Sequence, residues 1–165
     1  MKTLLLLRHA KSSWKDSTLP DHDRPLNARG RHAAALVGDF LKREKQRPEF
    51  VLSSSSLRTM QTVEILFEGA VNTPEICYDD SLYLASAPKL IEIISALGND
   101  RDQVLMVGHN PGTEELSYQL TGVEKRFPTA TLANIALSVE GWSEVGSTKG
   151  NLLWLVTPRQ LETSE

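Results

Sequence analysis

Short apolar runs alternate along this chain with segments in which apolar residues recur every three or four positions. Four consecutive leucines at 4–7 and the apolar run at 104–107 are typical of β-strands that are buried on both faces of a sheet. Shorter runs predict strands at 50–52 and 75–78, and two closing strands at 131–139 and 152–157. The segment 131–139 is interpreted as one arm of a β-hairpin, with the alternation of buried and exposed positions that such an arm has.

Four segments have the apolar spacing of an amphipathic helix. The first follows Asn27, whose side chain can cap a helix, and ends in the charged stretch 42–47 before Pro48. The others lie at about 57–67, 87–97 and 111–121. Strands that alternate with helices predict an α/β fold: a three-layer sandwich with a mainly parallel central sheet, helices on both faces and room for an antiparallel strand late in the chain. No repeat or linker divides the sequence, so residues 1–165 are expected to form a single domain.

Composition and charge narrow the class of protein. The chain has 165 residues, with 18 Lys plus Arg against 21 Asp plus Glu, which gives a net charge of −3 with neutral histidines. Nucleic acids and anionic membranes attract net basic surfaces, so this balance argues against both as partners but leaves room for a small basic pocket. No apolar run approaches the roughly 20 residues of a membrane span. We expect a cytoplasmic location and a monomeric state.

The sequence contains one cysteine, Cys77. A single cysteine excludes an intrachain disulfide and a metal site built from several cysteines. Its position in the strand predicted at 75–78 favours a small buried thiol. A cysteine nucleophile in a Cys-x5-Arg loop would need arginine at position 83, where the sequence has Tyr83.

Basic residues and histidines follow three of the predicted strands. Arg8 and His9 end the first strand, Arg58 comes directly after the serine run that ends the second, and His109 follows the fourth. Ligands bind at the carboxyl ends of the strands in folds of this kind, so we expect these side chains at one edge of the sheet.

These residue types suit phosphoryl transfer. The transferred group carries negative charge over several oxygens, and arginine engages such oxygens with a planar fork that keeps its charge. Neutral histidine is a competent nucleophile and can carry a phosphoryl group. Each residue alone has an ordinary explanation, as a hydrogen-bonded histidine or a solvated helix charge. The coincidence of His9, Arg58 and His109 at corresponding strand ends favours a site.

Other candidates have simpler explanations. His22 lies between Asp21 and Asp23, which is typical of a solvated acidic loop rather than a metal cluster, and His32 is expected to face outward from the first helix. Trp14, in the first loop, is interpreted as a half-buried tryptophan, with a position on the rim of the pocket as the alternative.

Three motifs together resemble the histidine phosphatase superfamily, also called phosphoglycerate mutase-like. They are Leu7-Arg8-His9-Ala10, the stretch Ser-Ser-Ser-Leu-Arg-Thr-Met-Gln-Thr at 54–62, and Gly108-His109-Asn110-Pro111. Their order spans the first strand to the fourth. The segment Asp-Arg-Pro-Leu-Asn at 23–27 further resembles the compact SixA-type phosphohistidine phosphatases.

The resemblance implies a phosphoglycerate mutase-like fold and a role for each matching residue. His9 would be the nucleophile that forms a covalent phosphohistidine, while Arg8, Arg58 and His109 would hold the phosphoryl oxygens. It implies no cofactor and no metal. Further substrate-binding candidates are Arg24, Ser12 and Asn110.

The general acid is the open assignment. Larger members of the superfamily place an acidic residue shortly after the third strand, where we expect Tyr83 in this chain. The acid could be Asp79, Asp80 or Asp23, or there could be none. A phosphate ester leaves as a poor alkoxide and benefits from a proton donor, whereas the imidazole of a phosphohistidine can leave without an enzyme acid.

Two enzyme functions and one binding function follow. The segment between the third and fourth strands has room for one helix but no cap domain, so the pocket should be open to a protein side chain. The leading hypothesis is a metal-independent phosphatase that acts on phosphohistidine in a protein partner. The alternatives are a phosphatase for small phosphate esters, with Asp80 or Asp23 as the acid, and a non-catalytic phosphate-recognition module.

Overall fold

A computed structural model describes residues 1–163 of the chain. The strands are β1 (Lys2–Arg8), β2 (Phe50–Ser54), β3 (Glu75–Asp79), β4 (Gln103–Gly108), β5 (Leu132–Leu137) and β6 (Asn151–Val156). The helices are α1 (Ala28–Arg43), α2 (Leu57–Leu66), α3 (Ala87–Ser95), α4 (Gly112–Thr121) and α5 (Pro158–Thr163). The predicted α/β alternation is therefore confirmed.

The strands form one mixed sheet in the order β3-β2-β4-β1-β5-β6. The first four in this order are mutually parallel, whereas β5 runs antiparallel to both β1 and β6. The reversal of β5 confirms the expected antiparallel strand late in the chain. It also places the start of β5 at the same edge of the sheet as the carboxyl ends of β1 and β4.

The two faces of the sheet carry separate hydrophobic cores, because successive strand residues point to opposite sides. Leu4 and Leu6 pack with α3 and α4, whereas Leu5 and Leu7 pack with α1, α2 and α5. All four leucines are fully buried, as the continuous apolar run predicted. The fold is thus a three-layer sandwich with helices on both faces. None of the helices in residues 1–163 has the length and apolar character needed to cross a membrane.

Local signals set the ends of two helices. The Asn27 side chain accepts a hydrogen bond from the Gly30 amide at 2.8 Å and so caps α1 as predicted. Gly122 ends α4 with φ 72°, a left-handed conformation that favours glycine, and its amide bonds the Tyr118 carbonyl.

Two expectations about single elements were wrong, and one short helix was not predicted. Cys77 lies in β3 as predicted but is exposed, because β3 is an edge strand. The β5 strand is buried nearly throughout instead of alternating, since it lies between β1 and β6 under both helical layers. The short helix α5 was not predicted, and its Leu161 completes the core beside α1.

Candidate active site

The ends of β1, β2 and β4 lie level with one another at one edge of the sheet. In the register of these parallel strands, Arg8 pairs with Gly108 and Ser53 pairs with Val107. The residues that follow the three strands therefore meet in space. His9 and His109 have ring centroids 5.1 Å apart, and the Arg58 guanidinium lies beside His109.

His9 is held as a neutral imidazole with one defined tautomer. Its Nδ1 lies 2.7 Å from the Ala10 carbonyl oxygen, which can only accept, so Nδ1 carries the proton and Nε2 has a free lone pair. Burial, helped by the charges of nearby arginines, lowers the pKa of His9 to about 4. The Ala10 amide donates to Thr62 Oγ1 on α2 at 3.1 Å, which anchors the residue whose carbonyl orients the ring.

His109 has the opposite tautomer. Its Nδ1 lies 3.4 Å from Arg58 Nη2, which can only donate, so the proton is on Nε2 and is donated to Ser54 Oγ at 2.8 Å. Burial lowers the pKa of His109 to about 3, with smaller contributions in the same direction from the neighbouring His9 and Arg58. The two histidines thus lie side by side as neutral rings.

Two arginines bring unused hydrogen-bond donors to the same place. Arg58 is 3% exposed, and Arg8 Nη1 donates to the Phe127 carbonyl at 2.9 Å. The Nε atoms of both arginines are buried and, within residues 1–163, have no hydrogen-bond partner. Buried donors without partners are costly, so their presence beside two histidines is typical of a site that binds an anion.

The remaining predicted site residues lie around this cluster of two histidines and two arginines. Arg24 is buried and donates from Nη1 to Ser12 Oγ at 2.7 Å, which joins the first loop to the segment before α1. Asn110 uses its amide nitrogen on Glu114 Oε2 at 3.1 Å and on the Phe127 carbonyl at 3.0 Å. The Asn110 side chain therefore braces the loop whose Phe127 carbonyl holds Arg8.

Asp21 is the residue at this site that sequence reasoning missed. The Asp21–Asp23 segment was interpreted as a solvated acidic loop, and the Asp21 side chain is 43% exposed, but its carboxylate also pairs with buried arginines. Its Oδ2 accepts from Arg58 Nη2 at 2.9 Å and from the Tyr83 hydroxyl, and its Oδ1 accepts from Arg24 Nε at 3.1 Å. The Tyr83 hydrogen bond, together with Arg58, holds the pKa of Asp21 well below its usual range. The spacing of Asp21 and Arg24, three residues apart, was the only local signal for this contact.

The comparisons with known proteins agree with this geometry. The family described as the histidine phosphatase superfamily (branch 1) matches residues 4–82, which contain Arg8, His9, Arg24 and Arg58. An uncharacterized protein of Mycobacterium tuberculosis is 33% identical over 165 residues, covering 93% of this chain and 100% of the relative. The chain belongs to the histidine phosphatase superfamily.

Among solved structures, this chain is similar to the SixA proteins. The putative phosphohistidine phosphatase SixA from Agrobacterium tumefaciens superposes with a TM-score of 0.82 at 29% identity, covering 95% of this chain and 98% of that one. The protein histidine phosphatase SixA in complex with tungstate superposes with a TM-score of 0.82 at 24% identity, covering 96% and 99%. These similarities confirm the predicted phosphoglycerate mutase-like fold and the resemblance to the compact branch.

The three candidate acids have their partners outside the cationic cluster. Asp79 caps the short turn after β3 through Ser81, Asp80 accepts from the Ser55 hydroxyl, and Asp23 lies 3.6 Å from His22. In the described part of the chain none of these carboxylates hydrogen-bonds a member of the cluster.

Tyr83 lies at the site. It is the residue expected from the sequence at the position where larger members of the superfamily have an acidic residue. Its ring centroid is 5.3 Å from that of His109, in an edge-to-face arrangement. Burial and the hydrogen bond to Asp21 raise the pKa of Tyr83. A tyrosine whose proton is held more tightly than usual is a poor general acid near neutral pH.

Trp14 lies on the rim of the site. The guanidinium carbon of Arg24 is 3.5 Å from the centroid of the Trp14 ring, and Trp14 is 76% exposed. The interpretation as a half-buried loop residue is therefore wrong. The ring covers Arg24 from the solvent side and presents its other surface outward.

Proposed function

We propose that this protein is a metal-independent phosphatase that uses His9 as its nucleophile and forms a phospho-His9 intermediate. The observation that carries the proposal is the state of His9. The ring is neutral, its Nδ1–H is occupied by the Ala10 carbonyl, and its Nε2 carries a lone pair that has no hydrogen-bond partner among residues 1–163. The guanidinium charges of Arg58 and Arg8 are close enough to help lower the pKa of the ring. A nucleophile next to preorganised cations is what phosphoryl transfer requires.

The reaction would run in two displacements at phosphorus. In the first, the His9 Nε2 lone pair forms a bond to phosphorus while the bond to the leaving group breaks, and its electron pair goes to the leaving atom. In the second, water attacks phospho-His9, the P–N bond breaks towards His9, and inorganic phosphate is released. The residues that would hold the phosphoryl oxygens through both steps are Arg8, Arg24 and Arg58. His109 would join them once it takes up a proton at Nδ1, because its Nε2–H is already donated to Ser54.

The preferred substrate would be phosphohistidine in a protein. Asp21 is ionised and Tyr83 is a poor acid, so the site offers little help to an alkoxide leaving group. An imidazole leaves without a proton from the enzyme, because its second ring nitrogen can already carry one. Between β3 and β4 there is only a short turn and α3, which leaves the site open to a protein side chain. The similarity to the protein histidine phosphatase SixA, whose structure contains tungstate, supports the same class of substrate.

Several features accompany this proposal as predictions. We propose a monomer with one domain over residues 1–165 and a cytoplasmic location. Substrate contacts from Ser12 and Asn110 would be indirect, since Ser12 accepts from Arg24 and Asn110 braces the loop behind Arg8.

The decisive experiment follows the phosphoryl group. The purified protein is mixed with a ³²P-labelled phosphohistidine peptide, quenched within milliseconds and analysed for label that is acid-labile and base-stable. We expect label on His9 and release of inorganic phosphate, whereas His9→Ala should show neither while still binding tungstate. His32→Ala, which removes an exposed histidine on α1, is the matched control. Full turnover by His9→Ala would refute the mechanism.

A panel of substrates tests which leaving group the protein accepts. A phosphoserine peptide and small phosphate esters are assayed beside the phosphohistidine peptide, and exclusive turnover of the esters would replace the proposed substrate. A protein that binds these ligands without any turnover would be a recognition module.

Arg58→Ala should lower kcat/KM by about 100-fold or more, since an electrostatic contact of this kind contributes about 2.7–4 kcal/mol to the transition state. A change within twofold would count against its role.

A further inference from the structure

An ionised carboxylate lies at the mouth of a site that is otherwise cationic. Asp21 is anchored by three donors, Arg58 Nη2, Arg24 Nε and the Tyr83 hydroxyl, and its side chain is 43% exposed. Arg58 also donates from Nη1 to the Asp21 backbone carbonyl at 2.6 Å. The Arg58 guanidinium thus lies between the Asp21 carboxylate and His109. Arg58 holds Asp21 through both its carboxylate and its backbone carbonyl.

The anchoring leaves one acceptor position of the carboxylate open. Each carboxylate oxygen can accept two hydrogen bonds. Oδ2 is filled by Arg58 and Tyr83, whereas Oδ1 receives only the Arg24 Nε–H at 3.1 Å among the described residues. Because the side chain is partly exposed, a donor on a bound substrate can reach this oxygen from the open side of the site.

We propose that Asp21 is a specificity-determining residue that accepts a hydrogen bond from the protonated ring nitrogen of a phosphohistidine substrate. This inference rests on the proposed function, and it names Asp21 as the residue that selects the leaving group. In the protonated substrate, one ring nitrogen bears the phosphoryl group and the other bears a proton. When His9 Nε2 attacks, the P–N bond breaks and its electron pair goes to the ring nitrogen, so the leaving group departs as neutral imidazole. The proton stays on the nitrogen that Asp21 contacts.

The same carboxylate disfavours ester substrates. A serine or sugar phosphate leaves as an alkoxide, on which negative charge develops in the transition state. Asp21 has no proton to donate to that oxygen, and its charge opposes the developing charge. A fixed anion held next to the phosphoryl site by two arginines therefore favours a leaving group that carries an N–H over one that becomes an anion.

The alternative is that Asp21 only positions Arg58. That role would affect every phosphorylated substrate alike, since Arg58 would contact the phosphoryl group whatever leaves. The two roles differ in the ratio of kcat/KM values for nitrogen-linked and oxygen-linked substrates, which Asp21→Asn measures. Asparagine keeps the size of the side chain and one acceptor oxygen, and it removes the charge.

The test compares wild type, Asp21→Asn and the neighbouring control Asp23→Asn, whose carboxylate is exposed and lies near His22. Each protein is assayed with a phosphohistidine peptide and with p-nitrophenyl phosphate, and its fold is checked by circular dichroism and tungstate binding. We expect Asp21→Asn to lower kcat/KM for the peptide at least tenfold more than it lowers kcat/KM for the ester. Asp23→Asn should leave the ratio within twofold of wild type.

Each contrary result overturns a different statement. An equal fall for both substrates, or no change in either, overturns the specificity role of Asp21 and leaves the proposed function standing. If wild type fails to hydrolyse the phosphohistidine peptide but hydrolyses the ester, the proposed substrate fails and this inference fails with it.

Discussion

Lowering the pH from 7 to 5 should destabilise the folded protein through its two active-site histidines. His9 and His109 are 6% and 4% exposed and have folded-state pKa values of about 4 and about 3. In the unfolded chain a histidine titrates near a pKa of about 6.5. Because the folded-state values are depressed, protons bind the unfolded state more tightly. The stability from these groups is therefore present above about pH 6.5 and is lost as the pH falls towards about 4.

The magnitude follows from the difference in proton binding. At pH 5 an unfolded histidine is almost fully protonated, whereas His9 and His109 are still largely neutral in the folded state. The free energy of unfolding then falls by about 2 kcal/mol per histidine relative to pH 7, or about 4 kcal/mol for the pair. Such a change is a large fraction of the stability of an ordinary domain.

Urea denaturation at pH 7, 6 and 5 measures this loss directly. The double variant His9→Asn/His109→Asn should lose most of the pH dependence, with less than about 1 kcal/mol remaining from the site. The same measurement on His32→Asn controls for the loss of a histidine on the surface, where its ring pairs with Glu162 at 3.4 Å. If wild type is equally stable at pH 7 and pH 5, or if the double variant keeps the wild-type slope, the two histidines are not held neutral by burial.

Two further predictions concern the elements that support the site. Gly30→Ala should cost about 1–3 kcal/mol of unfolding free energy in urea denaturation, because the new Cβ would lie 2.0 Å from the Lys11 carbonyl oxygen; a loss below about 0.5 kcal/mol would contradict this. Glu114→Ala should cost about 1–3 kcal/mol in the same assay, since it removes the acceptor of the Phe127 amide at 3.1 Å. The exposed neighbour variant Glu115→Ala should stay within about 0.5 kcal/mol of wild type, and equal losses in both would argue against a contribution from the Glu114–Phe127 hydrogen bond.

The parts of the fold that could be predicted from the sequence depend on local patterns. The continuous apolar run at 4–7 predicted a strand buried on both faces, and Asn27 predicted the start of α1. Once strands and helices alternate, a parallel sheet follows, and its strands end at one edge. That rule alone predicts that the residues after three strands, Arg8 with His9, Arg58 and His109, come together.

Other predictions failed because they depended on the position of a strand within the sheet. The sequence around Cys77 looks like that of a buried strand, but β3 lies at the edge and its thiol is exposed. The segment that contains β5 was expected to alternate between buried and exposed positions, but the strand is buried nearly throughout. The edge position of β3 and the inner position of β5 depend on how the whole sheet assembles, so a few neighbouring residues cannot reveal them.

Which elements form, and which basic residues gather at the edge of the sheet, can be inferred from the amino-acid sequence, because periodicity and parallel topology are enough for both. The electrostatic state of the site depends on contacts that form only in the folded chain. The Ala10 carbonyl and the Arg58 guanidinium set the tautomers of His9 and His109, and burial keeps both rings neutral. Asp21 pairs with Arg58 across 37 positions of the chain. Contacts of this kind depend on distances between side chains that are far apart in sequence, so only the folded chain could place an anion beside the arginines.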